Sequence, residues 1–253
     1  MTTSEVRDEA DPQAPEVLEA APRPVDRRLV RTLVVVGLAA VLAVGGLAVW
    51  RQLQPPPDFT LSQLQGAYTG MVRSDGTNDV STLDPSRFTE SPLRISPEDC
   101  APLFASTVSN QFPAGALDGV STYWLGGSSS SISLFTVRYP DAGTAEAAYQ
   151  AVDAASGGCT GETVTFSGAE GSGRVEPVAV TAPEDAPEQL AFALERGPGQ
   201  GRYALHVLRL SNTVTWQYRY DTGGGAYDPT PAQQLMDGMS AQLLSVQRAA
   251  AAG

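Results

Sequence analysis

The chain has 253 residues and a net charge of −12 at pH 7, and all 16 of its basic residues are arginine. From residue 52 onward, 10 arginines stand against 21 acidic residues. This balance argues against nucleic acid or an anionic membrane surface as a partner, since both repel a negatively charged domain.

Residues 1–31 predict a disordered cytoplasmic tail. Up to residue 26 the segment contains seven acidic residues and four prolines, with few apolar side chains. Such a composition does not bury enough surface to offset the entropy of ordering the chain. The tail also lacks any recognisable signalling domain.

The uncharged apolar run Thr32–Trp50 predicts a transmembrane helix, because its length matches the hydrocarbon core of a bilayer. Arginines at positions 27, 28 and 31 precede the run, while only Arg51 follows it, which places the N-terminus in the cytoplasm. A cleaved secretory signal would be shorter and end in small residues, and a buried helix rarely runs this long without a charge. We therefore expect a single-pass protein of the cell membrane with its C-terminal domain extracytoplasmic.

After a proline-rich linker at 51–57, residues 58–250 predict one extracytoplasmic domain. Short strands alternate with a few helices, which is typical of an α+β fold with an antiparallel sheet packed with helices. The expected helices span 61–71, 96–110 and 145–155 and begin again at 230; the expected strands span 120–125, 132–139, 163–167, 174–180, 190–195, 202–210 and 213–220. Residues 72–95 are expected to form a loop.

Local signals set the expected helix ends. Ser96 resembles an N-cap with Pro97 at the first helical position, followed by two acidic residues. Thr144 is expected to cap the alanine-rich helix, which the glycines at 157 and 158 are expected to end.

Cys100 and Cys159, the two cysteines of the chain, both lie in the extracytoplasmic part. In an oxidising compartment an even number of cysteines predicts a disulfide, which would join the ends of two helices. Binding of a metal by two thiolates is the alternative, but no further ligands stand at a suitable spacing. We expect a disulfide and no metal.

The last two strands predict a hairpin with a two-residue turn at Ser211 and Asn212. In that register Val207 faces Trp216, and His206 faces Gln217 on the opposite side of the sheet. Arg219 lies on the same side as Gln217. One side is therefore an aromatic core, while the other is mixed polar and either lines a groove or faces water.

No residue pattern identifies a reaction. His206 is the single histidine, no serine occupies a nucleophile turn, and the glycine-rich stretch at 197–201 has no lysine to form a phosphate loop. We expect neither an enzyme nor a cofactor.

The domain resembles the extracellular sensor domain of the mycobacterial kinase PknH and its kinase-free relatives. The resemblance is carried by the segments 96–100 (SPEDC) and 137–142 (VRYPDA), followed by Ala145 and Cys159. It implies an antiparallel sheet with helices packed around a cleft that binds an extracytoplasmic ligand. Members of the family usually have two disulfides and often a kinase, whereas this chain has one cysteine pair and no kinase.

Two functions follow as expectations. The first is a membrane-anchored sensor-like module of the cell envelope that binds a small or lipid-like ligand, with His206, Gln217 and Arg219 lining the groove and Tyr123 or Trp124 contributing from a neighbouring strand. The second is a structural or adaptor subunit that binds envelope proteins.

Overall fold

The computed structural model describes residues 57–71, 80–88, 94–104, 112–125, 130–167, 171–179, 188–197, 201–222 and 228–252. The chain divides into two compact units, Met1–Pro55 and Pro56–Gly253, and every described residue belongs to the second. This unit contains its own hydrophobic cores, so residues 56–253 form a self-contained folding unit.

The predicted tail at 1–31, the predicted transmembrane helix Thr32–Trp50 and linker residues 51–56 lie outside the described residues. Within the described residues, no helix is both long and apolar enough to span a membrane.

Nine strands and three α-helices make up the described part of the chain. The strands are β1 (Ser81–Leu83), β2 (Ile95–Ser96), β3 (Asp118–Leu125), β4 (Ser130–Arg138), β5 (Thr163–Phe166), β6 (Ser172–Pro177), β7 (Glu188–Glu195), β8 (Arg202–Leu210) and β9 (Thr213–Asp221). The α-helices are α1 (Leu61–Gly70), α2 (Ala142–Cys159) and α3 (Thr230–Ala252). Two 3₁₀ helices span Pro85–Phe88 and Glu98–Phe104; the second contains Cys100 and is called the Cys100 helix.

All nine strands form one antiparallel sheet in the order β1-β3-β4-β9-β8-β7-β6-β5-β2. Strands β5 to β9 follow each other as hairpins, and α2 connects β4, the third strand from one edge, to β5, the second strand from the other edge. This architecture confirms the predicted α+β fold with an antiparallel sheet and helices.

Alternation of side chains gives the sheet two unlike faces. The aromatic face carries Phe135, Trp216 and Tyr218, and α2 and the Cys100 helix cover it. The polar face carries Thr215, Gln217 and Arg219 on the same strand β9, and α1 and α3 pack over this side. Each face therefore has its own core.

The β8–β9 hairpin forms as predicted. Val207 pairs with Trp216 and His206 pairs with Gln217, across a turn at Ser211 and Asn212. Ser211 adopts a φ of 52°, in the left-handed region that two-residue turns require. Short-range pairing and alternating side chains were enough to predict this register.

The hairpin turn also holds the segment that enters the domain. The side chain of Asn212, 1% exposed, accepts a hydrogen bond from the Phe59 backbone N–H at 2.7 Å. Its amide nitrogen donates to the carbonyl oxygens of Phe59 and Tyr139, at 3.3 and 3.1 Å. From α3, the amide nitrogen of Gln247 donates to the Pro57 carbonyl at 3.1 Å. The entry of the chain is thus fixed by residues more than 150 positions away.

Helix α2 begins earlier and ends later than predicted. Its N-cap is Asp141, whose side chain accepts a hydrogen bond from the Thr144 backbone N–H at 2.7 Å, so the prediction of Thr144 as the cap is wrong. A carboxylate three residues before a free N–H caps a helix at least as well as a hydroxyl does. The helix also continues through Gly157 and Gly158 to Cys159, where the disulfide fixes its last turn.

The helix predicted from Ser96 is a 3₁₀ helix instead. Ser96 ends strand β2, and the helical turns begin at Glu98, so Ser96 is not an N-cap. Pro102 lies inside these turns and has no backbone N–H to donate, which disfavours an α-helix. The predicted end near residue 110 lies outside the described residues.

The predicted loop at 72–95 contains two short strands in its described parts. β1 pairs with β3, and β2 pairs with β5, at the two opposite edges of the sheet. Backbone hydrogen bonds to distant strands create these edges, and strands of two or three residues carry almost no periodic signal.

Candidate functional site

A cavity of about 240 Å³ lies on the aromatic face, between that face, α2 and the Cys100 helix. Its wall includes Pro102, Phe112, Tyr139, Ala148 and Trp216. No charged residue lines it among those the structure describes. We call it the Trp216 cavity.

Small side chains on α2 create the space. The helix turns Ala148 and Ala151 toward the Cys100 helix, and neither side chain extends beyond a methyl group. The 3₁₀ turns on the other side present Ala101 and Pro102, whose side chains are also small. Two covering elements with short side chains do not fill the space that the sheet leaves between them.

The wall of the cavity rests on a stack of aromatic rings. Trp216 stacks on Phe135 with ring centroids 5.0 Å apart and an interplanar angle of 3°, and Tyr218 also stacks on Phe135, at 5.8 Å and 5°. Trp216 is 1% exposed, and its indole N–H has no hydrogen-bond partner in the described part of the chain. Burial also raises the pKa of Tyr139 above its usual range, so this hydroxyl stays protonated. The site is therefore apolar, with an unpaired buried donor.

A second depression, of about 650 Å³, follows the disulfide and is called the disulfide groove. It runs between the Cys100 helix and α2, and the exposed carboxylates of Glu98, Asp99 and Glu162 line it.

The predicted disulfide is present and forms the floor of this groove. Cys100 and Cys159 are joined with their Cα atoms 5.9 Å apart, and both residues are buried. The bridge connects the Cys100 helix to the last turn of α2, as the sequence predicted. In the described ranges, no group of three or more His, Cys, Asp or Glu side chains has metal-binding geometry.

The residues predicted to line a ligand groove lie mostly under helices. His206 is 2% exposed and Gln217 is fully buried, both on the polar face, while Arg219 is partly buried two residues further along β9. None of the three lines the Trp216 cavity or the disulfide groove. The structure thus brings them together as predicted, but beneath α3.

Several polar atoms on this face have no partner among the described residues. They are Oγ1 of Thr122, Nε2 of His206, Nε and Nη1 of Arg219 and both amide atoms of Gln217. One row further along the sheet, by contrast, Thr136 bonds to the Tyr68 hydroxyl at 2.8 Å and to Thr215 at 2.7 Å. Burial lowers the pKa of His206 to about 4, and the partly opposing effect of Asp237 on α3 does not restore it. His206 is therefore neutral at physiological pH.

Tyr123 does not join these residues. It pairs with Ser133, which pairs with Tyr218, so the register places Tyr123 on the aromatic face, where it is 50% exposed. The prediction that Tyr123 shares a groove with His206 is wrong, because its position along β3 differs by one residue from the polar-face parity. Trp124 pairs with Ile132, and its side chain lies outside the described part.

The sequence predicted the aromatic core but missed the cavity within it. Trp216 was assigned to packing, and Phe112 was not singled out. The available signal was the spacing of alanines at 148, 151 and 155 on a helix opposite a proline-containing turn. That pattern shows small side chains on one helix face, although it does not show what lies opposite them.

Comparison with known proteins identifies one family and two solved structures that are similar to this chain. The family described as PknH-like extracellular domain matches residues 55–241. The crystal structure of the extracellular domain of PknH from Mycobacterium tuberculosis superposes with a TM-score of 0.52 at 15% identity, covering 76% of this chain and 98% of that chain. An uncharacterized protein from Mycobacterium smegmatis superposes with a TM-score of 0.41 at 17% identity and the same coverage. No curated protein matches the chain. Because the family match spans well over half of the sequence, the chain belongs to the PknH-like extracellular domain family.

Proposed function

We propose that this domain is a membrane-anchored, extracytoplasmic ligand-binding module of the cell envelope. Membership of an extracellular domain family supports an extracytoplasmic, sensor-like module. The uncharged run Thr32–Trp50 and its arginine flank support the anchor and a cytoplasmic N-terminus.

The observation that carries ligand binding is the Trp216 cavity. Concave, mostly apolar sites with one or a few polar groups are typical of small-molecule binding. A ligand there would contact the ring of Trp216 and the short side chains of α2. The role that this cavity supports best is the capture of a small or lipid-like molecule, without a chemical step.

Native mass spectrometry of residues 56–253, exported to an oxidising compartment, tests this function. We expect an added mass on the wild-type protein that is lost on denaturation. Ala151→Phe serves as the matched variant, because Ala151 lines the cavity from an exposed helix position where a ring is compatible with folding. The added mass should be absent from this variant.

The same added mass on both proteins, or no added mass on either, would contradict the proposal. So would an added mass that Ala151→Phe retains and His206→Ala loses, because the ligand would then lie on the polar face. The same spectrum should show two hydrogens fewer than the reduced chain, as the disulfide requires.

A further inference from the structure

The Trp216 cavity and the disulfide groove adjoin. Pro102 and Ala151 belong to the walls of both, so the two depressions meet where the Cys100 helix faces α2. Both shared side chains are small, so the residues common to the two walls include no bulky side chain. The two spaces therefore form one elongated site.

Helix α2 sets the length of this site. The cavity contacts the helix from Ala148, and the groove ends at Gly158 and Cys159. The rise from Ala148 to Cys159, at 1.5 Å per residue, is about 16 Å. Since a water-sized group occupies about 30 Å³ in a liquid, the cavity alone accommodates about eight non-hydrogen atoms.

The two ends of the site differ in charge. The cavity end is apolar and contains the buried Trp216, whose indole N–H has no partner among the described residues. The groove end carries the carboxylates of Glu98, Asp99 and Glu162, and none of its described lining residues is an arginine. A nearby cation, beside Gly161, is Arg174, which pairs with Glu176 at 2.8 Å.

We propose that the ligand is a cationic amphiphile, with its apolar part in the Trp216 cavity and an ammonium group among the carboxylates of the disulfide groove. This inference rests on the proposed function and adds the chemical class of the ligand. Charge complementarity selects the cation, because an anionic head group in the groove would meet three carboxylates and no basic side chain among the described lining residues. The apolar cavity selects the alkyl chain or ring to which the ammonium group is attached.

Three probes of equal chain length test the head group: octylammonium, octanol and octanoate. Their affinities for residues 56–253 are measured by isothermal titration calorimetry. We expect octylammonium to bind at least about tenfold more tightly than octanoate, with octanol between them, because each exposed carboxylate contributes up to about fivefold. The preference should shrink as ionic strength rises, since exposed charges are screened.

Charge-neutralising variants locate the head group. Glu98→Gln combined with Glu162→Gln should weaken octylammonium binding about fivefold or more and leave octanol binding unchanged. The control is Asp153→Asn, which removes one exposed charge of α2 that lies in neither wall. This control should leave the affinities of all three probes within about twofold.

The outcomes separate the ligand class from the function itself. Equal affinity for the three probes, lost in Ala151→Phe, would overturn the cationic class and keep the binding site. An equal loss of octylammonium affinity in Asp153→Asn would also overturn it, since the preference would then come from overall charge. Binding of no probe to a folded protein, with no heat change in any variant, would overturn both proposals.

Discussion

Helices cover both faces of the sheet, but the side chains that pack there differ between the two faces. On the aromatic face, large rings pack under helices with short side chains, and a disulfide holds the two covering elements together while a cavity remains. On the polar face, α1 and α3 bring large apolar side chains such as Tyr68 and Met239 and bury polar residues, several of them without partners.

The two faces differ in the feature that lowers their stability. A cavity loses dispersion contacts, and a buried polar atom without a partner loses the hydrogen bonds that it made with water. A covalent bridge compensates the first, because it limits how far the Cys100 helix moves from α2. On the polar face, packing by the apolar residues of α1 and α3 offsets the second. The aromatic face is therefore the one suited to admit a ligand without rearranging its core.

The largest effect should come from the bridge of the aromatic face. Cys100→Ser with Cys159→Ser removes a cross-link between residues 59 positions apart. In the chain-entropy account this lowers the free energy of unfolding by about 4 kcal/mol, measured by urea denaturation. Reduction of the wild-type protein is the control and should match the double variant. A loss below about 1 kcal/mol would mean that the two covering elements hold without the bridge.

Acidification should act on the polar face. Because the pKa of folded His206 is about 4 against an ordinary value of 6.5, the unfolded chain binds the proton first as the pH falls. Stability is retained above pH 6.5 and lost between 6.5 and about 4, by about 3 kcal/mol. His206→Gln should remove this part of the pH dependence of the free energy of unfolding. Identical pH profiles for the two proteins would contradict the neutral, buried state of His206.

Replacing an unpartnered amide should stabilise the same face. Gln217→Met keeps the shape of the side chain and removes two buried polar atoms that have no partner, so the free energy of unfolding should rise by about 1–2 kcal/mol. Gln247→Met is the matched control, because the Gln247 amide donates to the Pro57 carbonyl and its loss should destabilise the protein. Changes of the same sign in both variants would show that the two amides have equivalent surroundings.

The smallest effect concerns the cavity itself. Ala148→Leu adds apolar volume to the wall of the Trp216 cavity and should raise the free energy of unfolding by about 0.5–1 kcal/mol. It should also weaken ligand binding. Ala147→Leu, one residue away and exposed outside the cavity wall, is the control for helix propensity. An equal rise in both variants would show that filling the cavity contributes nothing.

Local signals were reliable where neighbours in sequence are also neighbours in space. The β8–β9 hairpin and its register follow from short spacing and alternation. The disulfide joins residues 59 positions apart and was predictable for another reason, because the chain has two cysteines. The helix ends were less reliable. Asp141 and Thr144 are both good capping residues, and their order in the turn decided which one caps.

The candidate site was only half predictable. Strand parity correctly grouped His206, Gln217 and Arg219, but it gave no means of knowing that α3 covers them. Likewise, the alanines of α2 indicate a smooth helix face, but the cavity exists because that face meets the short side chains of the Cys100 helix. A cavity forms where two packed elements leave space between them, and the sequence of one element does not show what packs against it.

The amino-acid sequence by itself determined the α+β class, the family, the disulfide partners and the division of the sheet into an aromatic and a polar side. These depend on composition, alternation and short motifs, all of which act locally along the chain. Tertiary structure alone decided that helices α1 and α3 cover the polar side and that a cavity remains on the aromatic side, because both depend on how helices distant in sequence meet the sheet. The cavity and the groove along α2 both form where this helix faces the Cys100 helix.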